Sequence, residues 1–485
     1  MSYVCDQDFH LSLADQNNVR THVQKLHIFP FPDGAQAEDA IHALSAGLRV
    51  TLMKFPFLAG RLGPEDPETG KLSLRFPGEI SDEVMAVIFH SKILYDYPFT
   101  YEALKTRGFP MLACKGEWFC PDILRKTSGI PPLAEGLTDF KGNSIPALSV
   151  QATFIPGGLV LSVYGHHSIM DGMGTAMFMR YFADGVNPRK NELLLSREAL
   201  PDQSAMREKV DARAQPSHTT KFGAYTTEKY DYPKTLDDQA PCSVKLFVIP
   251  ASRLHGYRDE LQKAGVQTMT PITIFNVLSA LIWTHITRAR AEDLEKIRQS
   301  STRAGIAVNW RKRQEPALDD HYMGNMAHFA VASRDISELV TEKHVTNETI
   351  IPVVQEINRG ISEIKPEWTQ QLLNYLASIE PIVDTECALG FHRGPDIYIT
   401  SWLHMGADFE WGIPGTSSSK PGFIRRAHCG NGSDGGIIIM PRSREVVDGQ
   451  EAPYEVMVRL ATCHMEKLIN EEAGLATRWA EKVLD

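Results

Sequence analysis

Between residues 36 and 63 the apolar side chains Ile41, Leu44, Leu48, Leu52 and Phe55 return every three or four positions. That spacing puts them on one face of an amphipathic helix. Phe55-Pro56 marks its end, because the residue before a proline disfavours helical backbone. A different pattern follows at 148–155 (LSVQATFI) and 159–164 (LVLSVY), both rich in β-formers. Pro156-Gly157-Gly158 lies between them, which predicts a hairpin. Helical spacing returns over 174–183 through Ala176, Met177, Met179 and Phe182.

The polar stretch 185–240 breaks this rhythm with Pro188, Pro201, Pro216, Pro233 and many charges. It reads as the connection between two halves, with a long surface excursion of a single domain as the alternative. The expected boundaries are an N-terminal unit 1–205, a linker 206–229 and a C-terminal unit 230–485. The second half opens on a strand at 244–249. A strong helix follows over 273–291, with Pro271 just ahead, Thr273 as its N-cap, and Val277, Leu278, Leu281, Ile282 and Ile286 on its apolar face. Segments 306–309, 397–402 and 437–440 read as strands and 453–469 as a helix, so the whole is a mixed α/β pattern.

Composition narrows the function classes. The 485 residues are 43% apolar and 23% charged, as expected of a soluble globular protein with a large core. Fifty basic against sixty acidic residues give a net charge of −10, which argues against binding nucleic acid through phosphate neutralisation. A local basic pocket for a phosphorylated co-substrate stays open. The seven cysteines are scattered, with no CxxC pair and no zinc-type spacing. Reduced thiols in the cytoplasm are the simplest expectation. The first residues show no basic-then-apolar leader, and no run of eighteen apolar residues occurs, so no membrane association is expected.

The sharpest chemical feature is His166-His167-Ser168-Ile169-Met170-Asp171-Gly172, between a predicted strand and a predicted helix. Such a junction can hold a side chain in a cleft on rigid supports. A neutral imidazole, with an ordinary pKa of about 6.5, accepts a proton at neutral pH. Asp171, four residues on, could hold the turn, and Gly172 would permit a positive φ. A His-x-x-x-Asp pair could also supply two metal ligands, but no third group is evident nearby. Two ordinary buried histidines are the plain alternative. The glycine-rich segment 429–436 invites a phosphate-loop reading, but it lacks the lysine and the following helix, and a hairpin turn is expected.

HHSIMDG matches the HHxxxDG signature of the chloramphenicol-acetyltransferase-like superfamily, and further segments resemble its BAHD acyltransferase branch in order. Leu11 to Gln16 (LSLADQ) is similar to LSxxDQ, and Phe55 to Leu62 (FPFLAGRL) to YPxLAGRL. Asn276 to Trp283 with Arg288-Ala289-Arg290 resembles DALxAxxW…RAR. Val308 to Arg313, then Pro316 and Tyr322-Met323-Gly324-Asn325, resembles VDxRxR…P…YxGN. Thr400-Ser401-Trp402 and the later DFEWG resemble TSW…DFGWG. Glu410 replaces the family's middle glycine and Asn276 its DALxA aspartate, departures compatible with the divergent fungal secondary-metabolite enzymes of this branch.

The resemblance implies two chloramphenicol-acetyltransferase-like lobes with an active-site channel between them, and a C-terminal segment that crosses to the first lobe's sheet. It implies an acyl-CoA-dependent acyltransferase acting on a hydroxyl, or less readily an amine, of a small secondary metabolite. A carrier-protein-dependent enzyme and a catalytically silent binding protein are the rivals. His167 would be the general base, while Thr400 and Trp402 would donate to the oxyanion. Asp171 would pair with Arg311, or as second choice Arg313, and the pair would serve structure. Acyl-CoA would be a co-substrate and no cofactor or metal would be permanently bound. Thr273, opening its helix, is a candidate for the donor's phosphates. A monomer is the family expectation. Glu410 puts loop conformation or donor fit in question and leaves the silent alternative open.

Overall fold

The computed structural model describes residues 3–485 apart from 67, 197–199, 217–221, 223–224, 227–229, 380–385 and 431–432. Two sheets organise it. The first runs Phe423–Arg425, His22–Pro30, Gly158–His166, Leu148–Ile155 and Phe89–Ile93, antiparallel except for its last pair. Its centre is the predicted hairpin, closed at Ile155 and Gly158 with Gly157 at φ 73°. All residues of both hairpin strands are buried. Helices Ala37–Lys54 and Gly172–Val186 cover one face, and residues including Tyr97, Phe119 and Leu124 cover the other. Burial on both sides explains continuous apolar runs where a half-exposed strand would alternate. The two helices meet backbone to backbone: a Cβ on Gly47 would stand 2.7 Å from the Val186 amide nitrogen.

The second sheet runs Ala327–Asp335, Ser301–Asn309, Ile397–Ser401, Gly436–Ile439, Tyr454–Ala461, Cys242–Ile249 and Lys482–Leu484. One face carries a core built around the helix Ile274–Lys296, whose side chains are buried nearly all round. The opposite face places Leu246, Ile438, Met440 and Met457 in a small cluster with Trp402, Met405 and, from the N-terminal half, Met111 and Ala176. That cluster joins the two halves. The strand Phe423–Arg425 is a C-terminal segment at the edge of the first sheet, as the two-lobe expectation requires.

Several sequence expectations need correction. The helix expected over 36–63 ends at Lys54; a 3-10 turn, Pro56–Ala59, follows, and Arg61–Asp66 is a strand. Phe55-Pro56 acted as the stop, and the apolar residues beyond it obey strand packing. The expected linker 206–229 does not begin as a tether. The helix Gln203–Asp211 crosses its start and buries Arg207 and Val210, while 217–221, 223–224 and 227–229 lie outside the described residues. The helix expected over 453–469 is a strand, Tyr454–Ala461, followed by a helix, Thr462–Asn470. Central position in the sheet won over helical spacing. The glycine-rich 429–436 is no hairpin turn, because the strands flanking it belong to different sheets. It is the return from the crossover, and 431–432 lie outside the described residues.

Candidate active site

The hairpin delivers His166 at the end of its second strand, paired with His22 of the neighbouring strand. The chain then turns, and Asp171 caps the helix Gly172–Val186 through Oδ1, which accepts from the Gly174 amide at 2.9 Å. Asp171 does more than cap. Its two oxygens take the Arg311 guanidinium in a fork, each at 2.9 Å, and Oδ2 also accepts from the Met326 amide. Four donors saturate the carboxylate. Burial alone would raise the Asp171 carboxyl, but Arg311 and the two amides hold it below the usual carboxylate range. Arg313 instead donates to the carbonyls of Ile361 and Ile364.

Gly172 does not need positive φ; it is the first helical residue. The tighter position is Gly174, where a Cβ would stand 2.1 Å from the Met323 carbonyl oxygen.

His167 takes a different partner from Asp171. It is the one partly exposed residue in an otherwise buried run from His166 to Asp171. Its amide donates to Thr21, and its Nδ1 lies 3.1 Å from the Asn325 side-chain oxygen. Asn325 has little freedom. Its Nδ2 donates to Asp15 Oδ1 at 2.8 Å and to the His167 carbonyl at 2.7 Å. Both are acceptors only, so the amide nitrogen must face them and Oδ1 must face the ring. Oδ1 can only accept, so Nδ1 carries the ring proton. The lone pair is then left on Nε2. Burial lowers the His167 pKa below its ordinary value, while Asp171, the residue's own carbonyl and Asn325 pull it back up. The ring is therefore neutral at pH 7, with Nε2 as the proton acceptor.

Asp15 and Arg207 brace this arrangement. Asp15 Oδ1 accepts a second time from the Asn325 amide, and Oδ2 pairs with Arg207 at 2.7 Å. Arg207 in turn donates to the Ile169 carbonyl inside the histidine turn. Sequence reasoning gave no role to Asn325, Asp15 or Arg207. LSLADQ and YMGN carried the first two only as resemblance. The spacing Gln203, Arg207, Val210 could have revealed a helix face in the supposed linker. Truncating Asn325 to alanine is expected to free the ring's orientation and lower kcat about 10- to 100-fold, less than loss of the imidazole itself. Steady-state kinetics with both substrates saturating checks it.

Thr400 and Trp402 lie at the end of the strand Ile397–Ser401, on the face turned from the main C-terminal core. Trp402 packs in the cluster between the sheets with Met405 and Ala176, one turn into the helix that Asp171 caps. Among the described residues, neither the Thr400 hydroxyl nor the Trp402 indole N–H is tied to a protein acceptor. Thr273 is spent locally: its hydroxyl caps the helix Ile274–Lys296 and bonds the Asn276 side chain, which closes a capping box. Asn276, the departure from DALxA, is the other half of that box.

The loop with Glu410 is seated by Trp411, which is fully buried against His27, Phe29 and Phe182. Glu410 needs no positive φ, is exposed, and pairs with Lys190 at 3.0 Å. Replacing the glycine therefore leaves the loop intact.

Three further buried histidines surround the site. Burial pushes His22 down to about 4, His27 to about 3 and His328 to about 4. Each folded value lies below the unfolded one, so their neutral forms favour the folded state fully above about pH 6.5. That contribution is lost as pH falls toward those values. The melting temperature is expected to decline steadily from pH 7 to pH 5, more steeply than the carboxylates alone produce; replacing His27 by phenylalanine should flatten the decline in a thermal-shift series.

Comparison with known proteins bears on the family and the fold. The model of the Transferase family matches residues 133–474, and that of the trichothecene 3-O-acetyltransferase-like N-terminal domain matches 21–185. The chain is 25% identical over 421 residues to acyltransferase easC of Emericella nidulans, covering 83% of each. It is 24% identical over 505 residues to fumigaclavine B O-acetyltransferase easN of Aspergillus fumigatus, covering 95% of each. Among solved structures, TRI101 of F. sporotrichioides complexed with coenzyme A and T-2 superposes with a TM-score of 0.77 at 19% identity, covering 99% of this chain and 100% of that one. Vinorine synthase superposes with a TM-score of 0.59 at 17% identity, covering 96% and 92%. These two likenesses establish the two-lobe fold. With one family model spanning well over half of its length, the chain belongs to the Transferase family.

Proposed function

We propose that the protein moves an acyl group, acetyl in the simplest case, from coenzyme A to a hydroxyl of a small secondary metabolite. The observation that carries this is the neutral His167 ring, with its proton pinned on Nδ1 by Asn325 and its Nε2 left without a hydrogen bond among the described residues. In this reading a channel between the two sheets brings both substrates to that atom. The acceptor O–H gives its proton to Nε2 as its oxygen attacks the thioester carbon. The C–O bond forms, and the carbonyl pair moves onto oxygen, where Thr400 and Trp402 donate to it. When the carbonyl re-forms, the C–S bond breaks and His167 returns the proton to the departing thiolate. No covalent enzyme intermediate is needed. Asp171 stays outside the proton path, because its four acceptor positions are filled.

The comparisons support the substrate classes. One relative is named for O-acetylation of fumigaclavine B and another for 8-O-acetylation of trichothecenes, and a TRI101 structure holds coenzyme A with deoxynivalenol. For the donor's phosphates we favour the groove of about 490 Å³ lined by Thr270, Lys312, Arg313 and Lys365. Thr270 precedes the helix that Thr273 caps, and two of the groove's cations, Lys312 and Arg313, follow Arg311 directly in the chain. The test is free-thiol release from acetyl-CoA against a panel of alcohols. Release that requires an alcohol supports the proposal; no release from any acyl-CoA contradicts it.

A further inference from the structure

Lys25 lies in the strand His22–Pro30 with 1% of its surface exposed. Its ammonium is 3.3 Å from the Met405 thioether and 4.9 Å from the centre of the Trp402 ring. Among the described residues no oxygen accepts from it and no carboxylate pairs with it. An ammonium has three donors, and a thioether is a weak acceptor. A buried charge left in that state costs folding stability. The carboxylate that acts on it, Asp171, is no remedy, because Arg311 and two amides fill it. The other titratable groups that act on or feel this ammonium are His27 and His167, both held toward the neutral form by burial.

The surroundings are equally specific. Met405 also abuts Gly172, where an added Cβ would stand 2.5 Å from the Met405 methyl. The lysine therefore links the strand beside the histidine turn to the indole assigned above as an oxyanion donor. A fixed positive charge in a dry interior acts over several ångströms, and it helps only a state that carries negative charge. The reaction develops that charge on the thioester oxygen.

Resting on the acyl-transfer reading, we propose that Lys25 is a positioning residue: its ammonium seats the Trp402 ring and keeps positive charge beside the oxygen that turns negative during attack. This explains why a costly unpaired cation persists among methionines. Burial lowers the Lys25 pKa to about 7, so the charge is present below that pH and fades above it.

The test is Lys25→Met, which keeps the length of the side chain and extends the cluster of Met111, Met405, Met440 and Met457. Acyl transfer should lose about 10- to 100-fold in kcat, with KM for donor and acceptor changed less than about threefold. The melting temperature should hold or rise, because an unpaired buried charge is gone. The kcat/KM of the unaltered protein should fall as pH rises through about 7, and the variant should lack that fall. A lower melting temperature with unchanged kcat would mark a structural lysine and overturn the inference. So would an unchanged pH profile, or a loss confined to acceptor KM. If the unaltered chain releases no thiol from any acyl-CoA, this inference falls together with the proposed function; if it turns over and Lys25→Met matches it, this inference falls alone.

Discussion

Replacing His167 by alanine is expected to lower acyl transfer by about 10²- to 10⁴-fold while the protein folds as before. The first half of that expectation follows from Nε2. An alcohol is a poor nucleophile until its proton leaves, and the Asn325 contact reserves the Nε2 lone pair for that proton. The second half follows from what the ring does not do. It is partly buried, and its side-chain hydrogen bond goes to an asparagine that keeps Asp15 and the His167 carbonyl as other partners. Its removal leaves no buried charge unpaired. Thiol-release kinetics and a melting curve on the same preparation check both halves. A collapsed melting temperature would make His167 a core residue.

Asp171→Ala should behave in the opposite way, losing about 3–5 kcal/mol of stability and much of the soluble protein. The change strands the Arg311 guanidinium, which is 5% exposed and donates to both carboxylate oxygens. It also removes the helix cap at Gly174, a further loss of about 1 kcal/mol in most hosts. Asp171→Asn keeps an oxygen for the cap and should lose less. The depressed carboxyl pKa fixes the sign with pH: the pair stabilises fully above the ordinary carboxylate range and fails as pH drops through the lowered value. Urea unfolding of the three proteins at pH 7 and pH 4 measures this. The wild-type margin over Asp171→Ala should be nearly intact at pH 4, which still lies above the lowered value, and shrink only at more acid pH.

Much of the site was legible in the chain because its residues sit in short runs. A strand end, two histidines and a cap aspartate within seven positions already imply a braced turn. The hairpin was equally readable, since Pro156-Gly157 admits few alternatives. What stayed hidden was set by partners far away in sequence. Asn325 reads as an ordinary turn residue until Asp15, 310 positions earlier, fixes its amide. Arg207 reads as linker charge until the core closes over it. The strand Tyr454–Ala461 was misread because burial on both faces erases the alternation that marks a strand, leaving apolar runs that also fit a helix. The glycine-rich return after Arg425 looked local, though the strands on either side lie in different sheets.

Acyl transfer at this site needs one ring in one protonation state, and nitrogen NMR reads that state directly. Histidine-labelled protein, with the His167 signals identified by subtraction of the His167→Asn spectrum, should show at pH 7 a neutral imidazole protonated on Nδ1 and bare at Nε2, taking up its second proton only below the ordinary histidine range. A ring protonated on Nε2, or an imidazolium at pH 7, would contradict it.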